Sequence, residues 1–150
     1  MGWVEELAGK SIALDTAPLI YFLEQRSPFA EALRPLFQLV DTGQATMVTS
    51  VVTLLEVLVL PLRSGNEALA QEYRDILLNG ANLHTVAITP NIAYEAARLR
   101  AESRLKTPDA IQLATAMLCH ADVLITNDRD FGDSPTMHIL RLSDLEASQD

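Results

Sequence analysis

"TPDAIQLATAML", residues 107–118, runs almost at once into "DVLIT", residues 122–126, and this succession decides the fold. In the first stretch, alanines and large apolar side chains recur at helical spacing. Thr107 is placed to cap, and Pro108 suits the first helical position. The second is a short, unbroken apolar run rich in β-branched side chains, the pattern of a strand buried on both faces. A helix that feeds such a strand is half of a parallel crossover unit.

The same alternation continues outward. Strand-like runs recur at 11–14, 45–50, 83–88, 122–126 and 138–142, and helical spacing fills 16–24, 27–41, 51–60, 66–79, 90–104 and 108–119. Five strands too apolar to be wet on one face predict an α/β protein with a mostly parallel sheet covered by helices on both sides. There is no repeat, low-complexity tract or interdomain linker, and "RSGNE" at 63–67 reads as an ordinary loop.

With 150 residues and 49% hydrophobic content, the whole chain, 1–150, is expected to form one domain. The net charge of -9 argues against gripping nucleic acid over the entire surface, though it permits a local basic strip. Lone Cys119, set among apolar residues, reads as a small buried side chain in a reducing compartment. The N-terminal segment carries no visible address, so a soluble, cytoplasmic protein is the expectation. The most apolar segment, "VVTLLEVLVLPL" at 51–62, is broken by Glu56 and Pro61. It falls short of the ~20 residues a membrane span needs.

In open parallel sheets ligands bind beyond the carboxyl ends of the strands, and here those positions are acidic. Asp15 follows the first strand, Asp128 follows the fourth after Asn127, Glu56 lies in the helix entered from the second, and Asp109 opens the helix that leads into the fourth. Each has a plain explanation of its own: Asp15 could cap the helix near Pro18, Asp128 could shape a turn, and Asp109 suits a helix dipole. Yet Asp109 shares a helical stripe with Leu113, Ala116 and Met117. Glu56 shares one with Val52, Thr53, Val59 and Leu60, which predicts a buried, uncompensated carboxylate. Converging acids repel unless a cation lies among them. A hard divalent ion such as Mg²⁺ or Mn²⁺ takes oxygen ligands and supports phosphodiester hydrolysis. Zinc is disfavoured, because His84, His120 and His138 lack ligand spacing. No G-x-S-x-G, P-loop or G-x-G-x-x-G is present.

Four pieces, "IALDTAPLIYFLE", "TSVVTLLEVLV", "TPDAIQLATAML" and "VLITNDRDF", in this order and spacing, resemble the PIN domain, in particular the VapC-like toxin ribonucleases of type II toxin–antitoxin modules. The last two are the specific part, and the resemblance covers about residues 11–142. It implies an α/β/α sandwich, RNA cleavage, a homodimer and a cognate antitoxin partner. It makes Asp15, Glu56, Asp109 and Asp128 the acids that hold Mg²⁺ or Mn²⁺. Asp130 is a fallback for the fourth acid, with ordering of the turn before Phe131 as the favoured explanation. Thr16 and Thr126 would orient neighbouring carboxylates. Ala17 departs from the small polar residue usual after "D-T".

RNA also needs cations. Arg98, Arg100, Arg104 and Lys106 precede Asp109, and Arg129 adjoins Asp128, so five of eleven cations lie near two of the acids in sequence. Phosphate contacts by Arg100, Arg104, Lys106 and Arg129 are weighed evenly against a merely solvated helix face. Other readings stay open: a catalytically silent interaction domain of the same fold, another metal-dependent phosphoesterase, or a receiver domain. The last lacks an acid after the third strand and a lysine after the fifth.

Overall fold

The computed structural model describes residues 2–26, 28–132, 134 and 136–147. Five strands, β1 (Ser11–Leu14), β2 (Thr46–Ser50), β3 (Leu83–Val86), β4 (Val123–Thr126) and β5 (Ile139–Arg141), form one sheet in the order β3-β2-β1-β4-β5. Every ladder is parallel, with Ala13 of β1 opposite Val48 on one side and Leu124 on the other.

The strands alternate two apolar sets because successive side chains point to opposite faces. Ile12, Leu14, Met47, Val123 and Ile125 join a core with Leu19, Leu33, Leu36, Val57, Tyr73 and Leu77. Those residues come from α1 (Thr16–Leu23), α2 (Phe29–Asp41), α3 (Val51–Ser64) and α4 (Glu67–Asn79), with Leu142 of α7 (Leu142–Ala147) beside them. Ala13, Val48 and Leu124 face the other way, into a core shared with α5 (Pro90–Glu102) and α6 (Thr107–Leu118). The expected α/β/α sandwich is therefore the observed one. Burying each Leu or Ile in these layers contributes about 1.5–3 kcal/mol. On the second face small residues carry the packing: Ala110, Ala114 and Ala116 are fully buried. Enlarging one of them would cost about 1–3 kcal/mol through overpacking.

Several boundaries differ from the sequence expectation. The helix expected to stop at residue 60 continues through Pro61, which is buried, to Ser64. It closes at Gly65, whose φ of 72° is the left-handed conformation glycine adopts freely, with the Asn66 N–H bonded to the Pro61 carbonyl. "RSGNE" is thus not a loop but a helix end, a turn at Gly65 and Asn66, and the start of α4, whose Leu69 N–H bonds to Asn66 Oδ1. Of the segment 27–41, Ser27 lies outside the described residues and α2 begins at Phe29. β3 ends at Val86, α5 ends at Glu102 and α7 was not anticipated. Cys119 is half-buried at the end of α6 rather than enclosed. Among the described residues no helix is long and apolar enough to cross a membrane.

Candidate active site

β1 and β4 are neighbours at the centre of the sheet, yet their connections run to opposite faces. The chain leaves β1 through α1 and α2 on one side and enters β4 from α5 and α6 on the other. The strand order reverses at this point, which opens a crevice beyond the carboxyl ends of the two strands.

Asp15 stands at its floor, 6% exposed. It caps α1, Oδ1 accepting from the Thr16 N–H at 2.8 Å, while Oδ2 accepts from Thr126 Oγ1 at 2.7 Å. Its backbone N–H extends the ladder to the Ile125 carbonyl. Burial pushes its pKa up, the hydrogen bonds from Thr126 and Thr16 pull it down, and the charges of Glu56 and Asp128 push it up again; the net shift is upward. The capping explanation therefore holds, and so does placement in the crevice.

Glu56 corrects the sequence reading. It is exposed, because the buried stripe of α3 is Thr53, Val57 and Pro61, while Leu55, Leu60 and Leu62 face outward with it. Thr16 Oγ1 donates to its Oε1 at 2.7 Å. Asp109 lies in the first turn of α6, half-buried. Burial, the hydrogen bond and charge of Asp128, and the charges of Asp15 and Asp130 raise its pKa to about 7. Thr107 does not cap this helix: it is already helical, Lys106 holds the cap position without a side-chain bond, and the Thr107 hydroxyl accepts from Arg100 Nη1.

Asp128 accepts the Asp130 N–H on Oδ1 at 2.8 Å, the turn-shaping role first considered for it, and donates its own N–H to Thr126 Oγ1. Asp130, expected mainly to order this turn, brings a carboxylate oxygen within 4.8 Å of those of Asp109 and Asp128. An open cavity of about 470 Å³ is lined by Asp15, Thr16, Ala17, Ile20, Glu56, Asp109, Asn127, Asp128 and Arg129. Among the described residues the ion pairs lie elsewhere and include none of these acids.

The basic run is divided. Arg98 pairs with Glu95 and Glu102 on α5, and Arg100 donates to the Leu105 carbonyl and to Thr107. Arg104 and Lys106 are exposed, and Arg129 alone of these cations lines the cavity. Sequence reasoning missed Asn127, which donates to Tyr21 Oη and accepts the Ser143 N–H, and the buried Thr49, Thr53 and Gln112 below the cavity. An uncharged amide in a buried helical stripe was the one available signal for Gln112.

The oxygen-only donors and their unpaired charge fit a hard divalent ion, and among the described residues no cysteine or histidine lines the cavity. The sequence profile described as PIN domain matches residues 12–135. The chain belongs to the PIN domain family, and the solved structures it is similar to include toxin–antitoxin complexes. A solved toxin–antitoxin complex from Klebsiella pneumoniae is 28% identical, with 86% of this chain and 95% of that one covered at a TM-score of 0.63. DNA-bound VapBC from Salmonella typhimurium is 22% identical over 88% and 98%, at 0.65. VapC20 of Mycobacterium tuberculosis, described as a Sarcin-Ricin loop cleaving toxin, is 16% identical over 80% and 92%, at 0.63. The last two share the fold. No curated protein sequence matches the chain.

Proposed function

We propose that this protein is the toxin of a toxin–antitoxin pair, an endoribonuclease that hydrolyses RNA phosphodiester bonds with Mg²⁺ or Mn²⁺ as cofactor. The observation that carries the reading is the crevice at the β1/β4 switch point, where Asp15, Glu56, Asp109 and Asp128 meet and, among the described residues, no cationic side chain is paired to any of them. These four acids would hold the ion, with Asp130 in reach of the same place as Asp109 and Asp128. Bound there, it supplies Lewis acidity, activating water and neutralising charge on the phosphate.

The chain's own side chains supply orientation. Thr126 fixes Asp15, and Thr16 fixes Glu56. Arg129 at the cavity edge is placed for a phosphate oxygen, and exposed Arg104 and Lys106 extend that path. Arg100 is assigned first to holding the start of α6 and second to RNA. RNA as substrate is supported by the similarity to the toxin described as cleaving the sarcin-ricin loop, and a cognate antitoxin by the similarity to toxin–antitoxin complexes. A homodimer and a cytoplasmic setting belong to the same reading.

Purified protein is expected to cut RNA with Mg²⁺ or Mn²⁺ and to stop in EDTA. Asp15→Asn is expected to lower the rate on the order of a thousandfold, the equivalent of several kcal/mol of lost transition-state stabilisation, with the circular dichroism spectrum retained. Undiminished cutting in EDTA would overturn the mechanism.

A further inference from the structure

Below the acids lies a polar layer with no orphaned atom among the described residues. Gln112 is its centre, 2% exposed and one turn after Asp109 on α6. Its Oε1 accepts the Ser50 N–H at 3.4 Å, and its Nε2 donates to Thr53 Oγ1 at 2.7 Å.

The hydroxyls can be directed by counting hydrogens, since each has one to give. Thr49 Oγ1 gives its hydrogen to the Leu14 carbonyl at 2.7 Å. In the Thr49–Thr53 contact, also 2.7 Å, Thr53 must then be the donor. Thr53 oxygen is left with two lone pairs to accept, and Gln112 occupies one. Thr16 Oγ1 has two acceptors in reach, Glu56 at 2.7 Å and Thr53 at 3.3 Å. The Thr16 hydrogen goes to Glu56, the closer and charged acceptor, with the Thr53 oxygen that Gln112 holds lying beside it.

We propose that Gln112 is a positioning residue: through its bonds to Thr53 and the Ser50 N–H it ties the helix that carries Asp109 to the start of the helix that carries Glu56, and so fixes Glu56 against Asp109 across the cavity. This rests on the reading of those acids as the metal-holding set. The position asks for a donor and an acceptor in one uncharged side chain, which an amide provides. A carboxylate would bring a further buried charge beside Asp109, and an apolar side chain would leave the Ser50 N–H without its partner.

The test is a Mn²⁺ titration of the full chain in four forms: wild type, Gln112→Met, Glu56→Gln and the double variant. Partners that orient metal ligands typically alter affinity about 10–100-fold, and one step further out we expect Gln112→Met to raise the Mn²⁺ Kd about three- to tenfold. In the Glu56→Gln background the same change should have less than about a twofold effect, because the side chain it acts through no longer carries the charge. Should Gln112→Met not fold, Gln112→Asn, which retracts the amide by one methylene, replaces it. A lowered melting temperature with unchanged Kd, or an equal loss in both backgrounds, would show a merely structural role and overturn the proposal. Wild-type protein that binds no Mn²⁺ would overturn the metal reading and this inference with it, whereas a metal-binding wild type with indifferent variants removes this inference alone.

Discussion

α5 and α6 pack against each other and begin alike, "TPN" at residues 89–91 and "TPD" at 107–109, yet the two starts are built differently. In α5, Thr89 caps: its Oγ1 accepts the Ile92 N–H at 3.2 Å, Pro90 opens the helix, and Asn91 is exposed. In α6 the chain enters one residue earlier, so Thr107 is inside the helix and no side chain caps it. Arg100, reaching over from α5, holds Thr107 and the Leu105 carbonyl instead. The residue after Thr-Pro is amide and solvated in one helix, acid and crowded by acids in the other. α5 is stabilised by its own ends and surface pairs, whereas α6 depends on burial and on its neighbour, and its first turn carries a carboxylate crowded by Asp15, Asp128 and Asp130.

Exchanging these two residues breaks the comparison most directly. Asp109→Asn gives α6 the start of α5. RNA cleavage is expected to fall on the order of a thousandfold, while the metal-free melting temperature rises by roughly 2 °C as repulsion among the acids is relieved. Asn91→Asp makes the reciprocal change at an exposed first turn and should leave cleavage within about twofold of wild type, with a small stabilisation from the helix dipole. Cleavage rates and melting curves of both variants decide the matter. A silent Asp109→Asn would reduce Asp109 to a helix-dipole residue.

A second, smaller effect follows from protonation. The Asp109 pKa is raised from 3.8 to about 7, so over that interval the folded protein binds more protons than the unfolded chain. The contribution of this group to stability is complete below about pH 4 and is lost as pH rises through about 7. Divalent ions compete with the same protons. The rise in melting temperature caused by Mg²⁺ or Mn²⁺ should therefore be small at pH 5.5 and grow to several degrees at pH 8, where ligand at about 100 times its Kd adds roughly 2.7 kcal/mol. In Asp109→Asn the metal effect should shrink and lose most of its pH slope. A shift of equal size at both pH values would place the acid's titration outside the site.

The sheet was legible because strands buried on both faces leave unbroken apolar runs, and all five such runs are strands. The convergence of Asp15, Asp109 and Asp128 was also legible, since strand ends in a parallel sheet share one rim. Glu56 was placed on the wrong side because α3 has more apolar residues than its core face needs. Periodicity identifies which side chains share an arc, but not which arc is covered, and Leu55, Leu60 and Leu62 lie outside. Pro61 misled for a related reason: its ring is buried and the turn at Gly65 still closes the helix. Gln112 showed in the sequence only as an amide in a buried stripe, and its role was not legible because its partners, Ser50 and Thr53, are some sixty residues away and nothing local announces them.

The two threonines offer the finest test of the comparison. Thr89→Ala removes the acceptor for the Ile92 N–H at a helix end, a loss worth about 1 kcal/mol. At this chain length it should lower the melting temperature by about 2–4 °C. Thr107→Ala deprives no backbone N–H of its partner, and Arg100 keeps the Leu105 carbonyl, so the cost should stay within about 0.5 kcal/mol. Identical residues in identical dipeptides would then differ in effect solely because the chain enters one helix a residue earlier than the other. If Thr107→Ala proves the costlier change, the bond from Arg100 to the Thr107 hydroxyl holds the start of α6 more firmly than a cap holds α5, and Arg100 is committed to that structural task rather than to the phosphate contact its place in the basic run suggests.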